Sequence, residues 1–229
     1  MSILRLVIAV LLLVGPVAAQ ELVSFPTQDR GIVYADMYGK GDRGVVLAHW
    51  ARFNKESWEK QARALAEAGF RVLALDFRGY GQSRGPGQPD PLSAPLHFDV
   101  LAAVRYLRNK GAKTVSVVGG SMGGGAAADA SILAEPGEMD RLVLLGAEAG
   151  TGRVGPPEKL KGRKLFIVSR DDTRGDGVVR LIKIREQYEK VPEPKELVIL
   201  DGSAHAQFIF ETDQADRLLR EILRFLSAP

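Results

Sequence analysis

"VSVVGGSMGGG", residues 115–125, sets one serine among glycines at the end of an apolar run. Three chemistries use such a stretch. A phosphate-cradling Walker loop needs a lysine followed by Ser or Thr after the glycines, and none follows here. A dinucleotide fingerprint can be laid over Gly123, Gly125 and Ala128. It begins inside the next helix, however, and no acidic residue closes a second strand about 20 residues on. What remains is Gly119-Gly120-Ser121-Met122-Gly123, a G-x-S-x-G pentapeptide joining a strand directly to a helix. A serine there sits on a tight turn with its hydroxyl exposed above the sheet, and a Cβ at either outer glycine would meet neighbouring backbone. The helix N-terminus behind it favours developing negative charge.

Working outward, the chain alternates strand and helix patterns. "GIVYADMYG" alternates apolar and polar residues and reads as an antiparallel entry to a sheet. "GVVLAH", "RVLALDF", "KTVSVVG", "RLVLLGA", "KLFIVSR" and "KELVILDG" are short, nearly continuous apolar runs of the buried parallel type. Between them, residues 55–68, 96–108, 121–134, 177–190 and 211–226 carry helical spacing. This order predicts an α/β protein: a mostly parallel central sheet with helices on both faces. The loops richest in Gly and Pro, residues 79–95 and 146–157, follow strand carboxyl ends, where such sheets bind ligands.

A serine is a poor nucleophile until a base takes its proton and an acid orients the base. The chain has three histidines. His49 ends the first parallel strand, and His97 opens a helix near Pro95, the position of a surface or capping residue. His205, in "LDGSAHAQF", lies in the loop just past the last strand and is the expected base. The acid belongs at the end of the preceding strand, where "KLFIVSRDDT" offers Asp171 and Asp172. Successive side chains diverge, so one of the two faces the imidazole; Asp172 is the expected acid and Asp171 a solvent-facing neighbour.

The order Ser121, Asp172, His205, with the elbow pentapeptide, resembles the α/β-hydrolase superfamily over essentially the whole chain beyond the first nineteen residues. "VVLAHWARF" resembles its His-Gly oxyanion segment, and "DFRGYGQS" (residues 76–83) is similar to its D-x-R-G-x-G-x-S turn. Small size is similar to the compact esterases and to dienelactone hydrolases, although the latter usually carry cysteine as nucleophile. The resemblance implies oxyanion donors at the backbone N–H groups of Met122 and Ala51. Trp50 stands where glycine is usual and becomes either a wall of the substrate pocket or a core residue against the helix at 55–68. His49 and Arg78 are expected to brace these loops. Sixteen residues separate Ala147 from Lys164, where many relatives insert a lid, so no cap domain is expected and the site should be shallow and open. The implied activity is hydrolysis of carboxylic esters of small or accessible substrates through an acyl-enzyme on Ser121. No metal and no cofactor are expected. The alternatives are a thioesterase or perhydrolase using the same residues, or a non-catalytic binding protein on the same fold.

Composition narrows the rest. The 31 basic and 28 acidic residues are interspersed, with net charge +3, a pattern that gives no nucleic-acid patch. Cysteine is absent, which excludes disulfides, thiolate metal sites and cysteine nucleophiles. Arg5, the apolar run at residues 6–14, the Gly15-Pro16 break and Val17-Ala18-Ala19 together have the form of a secretory leader cleaved after Ala19. Residues 1–19 are thus expected to direct export, periplasmic or secreted, without stable membrane insertion. The remaining 210 or so, residues 20–229, suit one α/β-hydrolase domain.

Overall fold

The computed structural model describes residues 20–87 and 90–228; the expected leader lies outside them. Eight strands form one sheet: β1 (Glu21–Pro26), β2 (Ile32–Tyr38), β3 (Arg43–Ala48), β4 (Phe70–Leu75), β5 (Thr114–Gly120), β6 (Arg141–Leu145), β7 (Arg163–Ser169) and β8 (Lys195–Leu200). Their order across the sheet is β1-β2-β4-β3-β5-β6-β7-β8. β1 pairs antiparallel with β2, and β2 with β4; every other neighbour is parallel. The parallel strands β3, β4, β5, β6 and β7 are buried almost without interruption, as strands covered on both faces must be. β1 is absent from the sequence reading for a physical reason. It lies at the sheet edge, ends in proline and buries only Val23 and Phe25, so its apolar signal is two residues long.

Five α-helices cover the sheet: α1 (Glu59–Glu67), α2 (His97–Asn109), α3 (Met122–Leu133), α4 (Arg180–Tyr188) and α5 (Ala215–Ser227). α2, α3 and α4 bury their apolar faces in one core with Val46, Leu73, Val117 and Phe166. α1 and α5 bury theirs on the opposite face against Val45, Val72, Val118 and Leu165. Alternate residues of each strand therefore feed two cores, the period of two that pleating imposes. α5 shows the helical version of the rule: Leu218, Ile222, Phe225 and Leu226 make one buried stripe.

Three expected helices are shorter than their patterns. Residues 55–58 wind as a 3-10 turn before α1 begins, and residues 206–211 form another before α5. In the second case Thr212 interrupts the chain, its Oγ1 accepting the Gln214 N–H at 3.2 Å. α4 begins at Arg180 rather than Gly177, because Gly177 has φ 82° and Thr173 bridges Val179. No cap domain is inserted among the described residues; the β6–β7 connection holds only a 3-10 turn at Pro157–Lys159. Chain direction across the sheet reverses at β3, which has β4 on one side and β5 on the other. The carboxyl ends of β3 and β5 open there into the crevice such sheets use for ligands.

Candidate active site

β5 passes into α3 with a single residue, Ser121, between them. Its backbone has φ 47° and ψ −110°, a conformation costing on the order of 1–3 kcal/mol for a residue with a Cβ. Two hydrogen bonds hold it there: Ser121 N–H donates to Leu145 O at 2.9 Å, and Ser121 O accepts from Gly125 N–H at 2.9 Å. The flanking glycines are required by contact. A Cβ on Gly119 would lie 2.5 Å from Gly123 O, and one on Gly123 would lie 2.3 Å from Ala48 O. α3 therefore packs backbone to backbone on β3 and β5, and the hydroxyl is presented at the sheet's carboxyl edge.

The residues expected as acid and base follow the last two strands, β7 and β8. Asp172 follows β7 by three residues and is buried, while Asp171 is exposed and turned away, its N–H donating to Gly202 O at 3.0 Å. His205 follows β8 by five. Ser169 Oγ donates to Ala204 O at 2.7 Å, which ties the end of β7 to the histidine loop. Ala206, with φ 50°, then turns that loop back into the protein. The result is a continuous array: His205 Nε2 lies 2.8 Å from Ser121 Oγ, and His205 Nδ1 lies 2.6 Å from Asp172 Oδ2. With the carboxylate on Nδ1, that nitrogen carries the proton and Nε2 is free to accept the serine's. Positive φ at non-glycine residues is confined, among the described residues, to Arg30, Ser121 and Ala206. One of the three heads this array and another, Ala206, directly follows its histidine; such strain clusters at functional sites.

The other Asp172 oxygen, Oδ1, accepts from Arg180 Nε at 3.3 Å, and Arg180 N–H donates to Asp172 O at 2.8 Å. No sequence signal pointed to Arg180, which opens α4 eight residues beyond the aspartate.

On the far side of the serine, β3 delivers His49, Trp50 and Ala51. His49 is fully buried and neutral: burial pulls its pKa down to about 4. It donates from Nδ1 to Trp50 O at 2.8 Å and accepts the Phe77 N–H on Nε2 at 3.2 Å. Trp50 O also accepts from Phe53 N–H at 2.9 Å. A trans peptide points its N–H opposite its C=O, so the Ala51 N–H points away from His49 Nδ1 and Phe53 N, and Ala51 lines the cleft. Met122, first residue of α3, lines the same cleft and has an N–H without an intrahelical acceptor. Tyr80, from the turn at residues 76–83, donates to Ala51 O at 2.9 Å. The turn itself is clamped by Arg78, whose buried guanidinium donates to Asp99 at 2.7 Å and to Asp29 at 2.5 Å. His49 and Arg78 thus sit where braces are expected.

The cleft over the serine has a volume of about 590 Å³, within the range of small-molecule sites. Two loops wall it: residues 92–97, leading into the first turn of α2, and residues 146–154 after β6. The second loop is fastened to α3 by buried Asp129, which accepts from Thr151 N at 3.1 Å and Thr151 Oγ1 at 2.5 Å. Trp50 lines the cleft rather than the core under α1. Its ring stands edge-on to His205 at 4.8 Å, to Phe208 at 5.4 Å and to Phe53 at 5.9 Å. His97 opens α2, half-buried at the cleft and not on the open surface. Ala94 and Leu96 are drawn into the core beside it, so the imidazole forms part of the cleft wall, its pKa lowered by burial.

Comparison with known proteins bears on the fold and the family. The sequence profile described as alpha/beta hydrolase fold matches residues 45–183. The AB hydrolase superfamily protein YisY of Bacillus subtilis is 30% identical over 158 residues, covering 66% of this chain and 57% of that protein. A non-heme haloperoxidase of Rhodococcus erythropolis is 33% identical over 118 residues, 51% of this chain and 40% of its own length. The chain spans about half the length of these two relatives. Among solved structures, an esterase from Pyrococcus furiosus shares the fold with a TM-score of 0.72 at 20% identity, covering 91% of this chain and 90% of that one. The profile runs from β3 through the serine elbow into α4, more than half of the chain, and on that match the chain belongs to the α/β-hydrolase fold family.

Proposed function

We propose that this hydrolase cleaves carboxylic esters through an acyl-enzyme on Ser121. One observation carries the reading: an unbroken hydrogen-bonded array, Ser121 to His205 to Asp172, headed by a serine in a strained elbow. In this reading Ser121 Oγ attacks the ester carbonyl as its proton passes to His205 Nε2. The oxyanion is met by the N–H groups of Met122 and Ala51, and Asp172 stabilises the imidazolium. Collapse expels the alcohol, which takes its proton from His205. Water, activated by the same nitrogen, then attacks the acyl carbon and frees the acid. The cleft volume favours small esters. An intact array gives a purely binding role no support. Peroxide as acyl acceptor in place of water, which would release a peracid, is favoured by the likeness to a non-heme haloperoxidase.

The test is a panel of nitrophenyl esters, with and without hydrogen peroxide, beside a fluorophosphonate probe. Turnover and a single adduct on Ser121, lost in Ser121→Ala, are expected. Labelling at a different serine, or no reaction across the panel, defeats the proposal. We further propose, from the basic, apolar and small-residue pattern of residues 1–19, that the protein is exported. Mass spectrometry of the N-terminal peptide of protein from its native host should then find it beginning at Gln20, free or cyclised to pyroglutamate, and a chain still starting at Met1 argues against export.

A further inference from the structure

Three loops bearing the proposed machinery converge on one buried side-chain amide that no sequence motif marks. Gln207 lies two residues past His205, beyond the positive-φ turn at Ala206, and is 5% exposed. Its Oε1 accepts the Trp50 backbone N–H at 2.7 Å, a bond between residues 157 apart in the chain. Its Nε2 donates to Ser57 Oγ at 2.8 Å, and Ser57 Oγ in turn donates to Asn54 O at 2.6 Å. The amide also rests against the residue before the nucleophile: a Cβ on Gly120 would stand 3.2 Å from Gln207 Oε1 and 3.3 Å from its Cγ. One side chain of the histidine loop thus touches the serine elbow and ties down the β3–α1 loop at two points.

The geometry points to Gln207 as a positioning residue for the oxyanion donor at Ala51, a role that rests on the ester-hydrolase reading above. The peptides on either side of Trp50 are anchored in different directions. The Trp50 N–H goes to Gln207; the Trp50 C=O goes to His49 Nδ1 and Phe53 N. With both fixed, φ and ψ of Trp50 are fixed, and so is the direction of the Ala51 N–H. The arrangement also accounts for a tryptophan where the family usually has glycine: the backbone is held by outside partners, so the residue needs no special conformational freedom. Because Gln207 and His205 share a short, turned segment, donor and base are held in one frame. A donor displaced by even 1 Å at the moment charge develops can cost up to about a hundredfold in rate, approaching the ~10²–10³ cost of deleting it. Ground-state binding of the ester, which does not depend on that donor, should be spared.

Gln207→Met, close in shape but without a polar end, is the direct test, compared with Gln207→Glu, whose carboxylate still accepts the Trp50 N–H. Wild type and both variants are measured for kcat and KM on nitrophenyl acetate, for inhibition by a trifluoromethyl ketone whose adduct places an oxyanion beside Ser121, and for Tm. In Gln207→Met, kcat should fall about ten- to a hundredfold with KM nearly unchanged, and the ketone should bind weaker by a similar factor. Gln207→Glu should recover most of both. If Gln207→Met does not fold, Ser57→Ala, which frees only the amide's second anchor, should show the same kcat-only pattern at smaller size. Wild-type kcat in Gln207→Met, loss appearing in KM alone, or a Gln207→Glu as impaired as the methionine variant overturns the assignment; so does unchanged kcat in Ser57→Ala where that variant stands in. A wild-type enzyme inert to ester and ketone alike instead refutes the ester-hydrolase reading itself.

Discussion

Truncating Trp50 to alanine should separate two jobs that the indole performs at once. Its ring makes edge-on contacts with His205 at 4.8 Å, Phe208 at 5.4 Å and Phe53 at 5.9 Å. Such pairs are worth about 0.5–1.5 kcal/mol each beyond area burial, so the three together contribute roughly 2–4 kcal/mol. Arg52, 5.5 Å from the ring centroid, adds about 0.5–1 kcal/mol at this exposed site. A loss near the middle of that range lowers Tm by roughly 10 °C, at about 2–4 °C per kcal/mol for a domain of this size. The same truncation enlarges the 590 Å³ cleft beside Ser121. Room for one more methylene is worth about 1–3 kcal/mol of discrimination, so kcat/KM for octanoate relative to acetate should rise roughly ten- to a hundredfold. Alanine is preferred to glycine because it leaves the backbone, and hence the Trp50 N–H anchor, nearly unchanged. The assay is a series of nitrophenyl esters from acetate to octanoate, run beside a thermal melt. A lower Tm with an unchanged chain-length profile would show that the indole only buttresses His205, and the pocket-wall argument would fail.

Asp172→Asn should lower kcat by about 10⁴, because an amide in place of the carboxylate favours the wrong imidazole tautomer; Asp171→Asn, at an exposed position, should leave kcat nearly unchanged, and the reverse ranking would mean the wrong aspartate has been assigned. His49 makes stability depend on pH. Burial depresses its folded pKa to about 4, below the unfolded 6.5, so the unfolded chain binds the extra proton between those values. Stability is therefore full above about pH 6.5 and declines toward pH 4, by on the order of 3 kcal/mol; urea melts across that window should show the slope, His49→Gln should flatten it, and an equal slope in the variant would assign it elsewhere. Gly123→Ala should destabilise by about 1–3 kcal/mol or more and abolish labelling of Ser121, since its Cβ would lie 2.3 Å from Ala48 O; a variant with wild-type Tm and labelling would show that α3 need not pack so closely on β3.

What could be read from the sequence is what one local rule fixes. Buried parallel strands announce themselves because both faces must be apolar, and an elbow announces itself because backbone contacts at Gly119 and Gly123 exclude every side chain. Divergence of successive side chains told that one of Asp171 and Asp172 faces the imidazole, and the resemblance to the family's strand-end aspartate favoured Asp172. Roles assigned by contact across the sheet had no such rule. His97 read as a surface residue because nothing in "PLHFD" says that Ala94 and Leu96 are pulled into the core and carry it to the cleft wall. Arg180 gave no sign of its bond to Asp172, since a bend bridged by Thr173 and Val179 creates the approach. The fastening of the cleft's second wall escaped the reading for the same reason: short connections rule out a cap domain but do not show that Asp129 and Thr151 tie one of them to α3. Gln207 is the extreme case, a polar residue in an apolar 3-10 turn whose partner is a backbone amide on the other side of the serine. Its burial is the physical clue. An amide that is 5% exposed must find partners for both its donor and its acceptor, and the partners it finds, Trp50 N–H and Ser57 Oγ, lie in the loop that, in the proposed reaction, holds still as charge develops on the substrate.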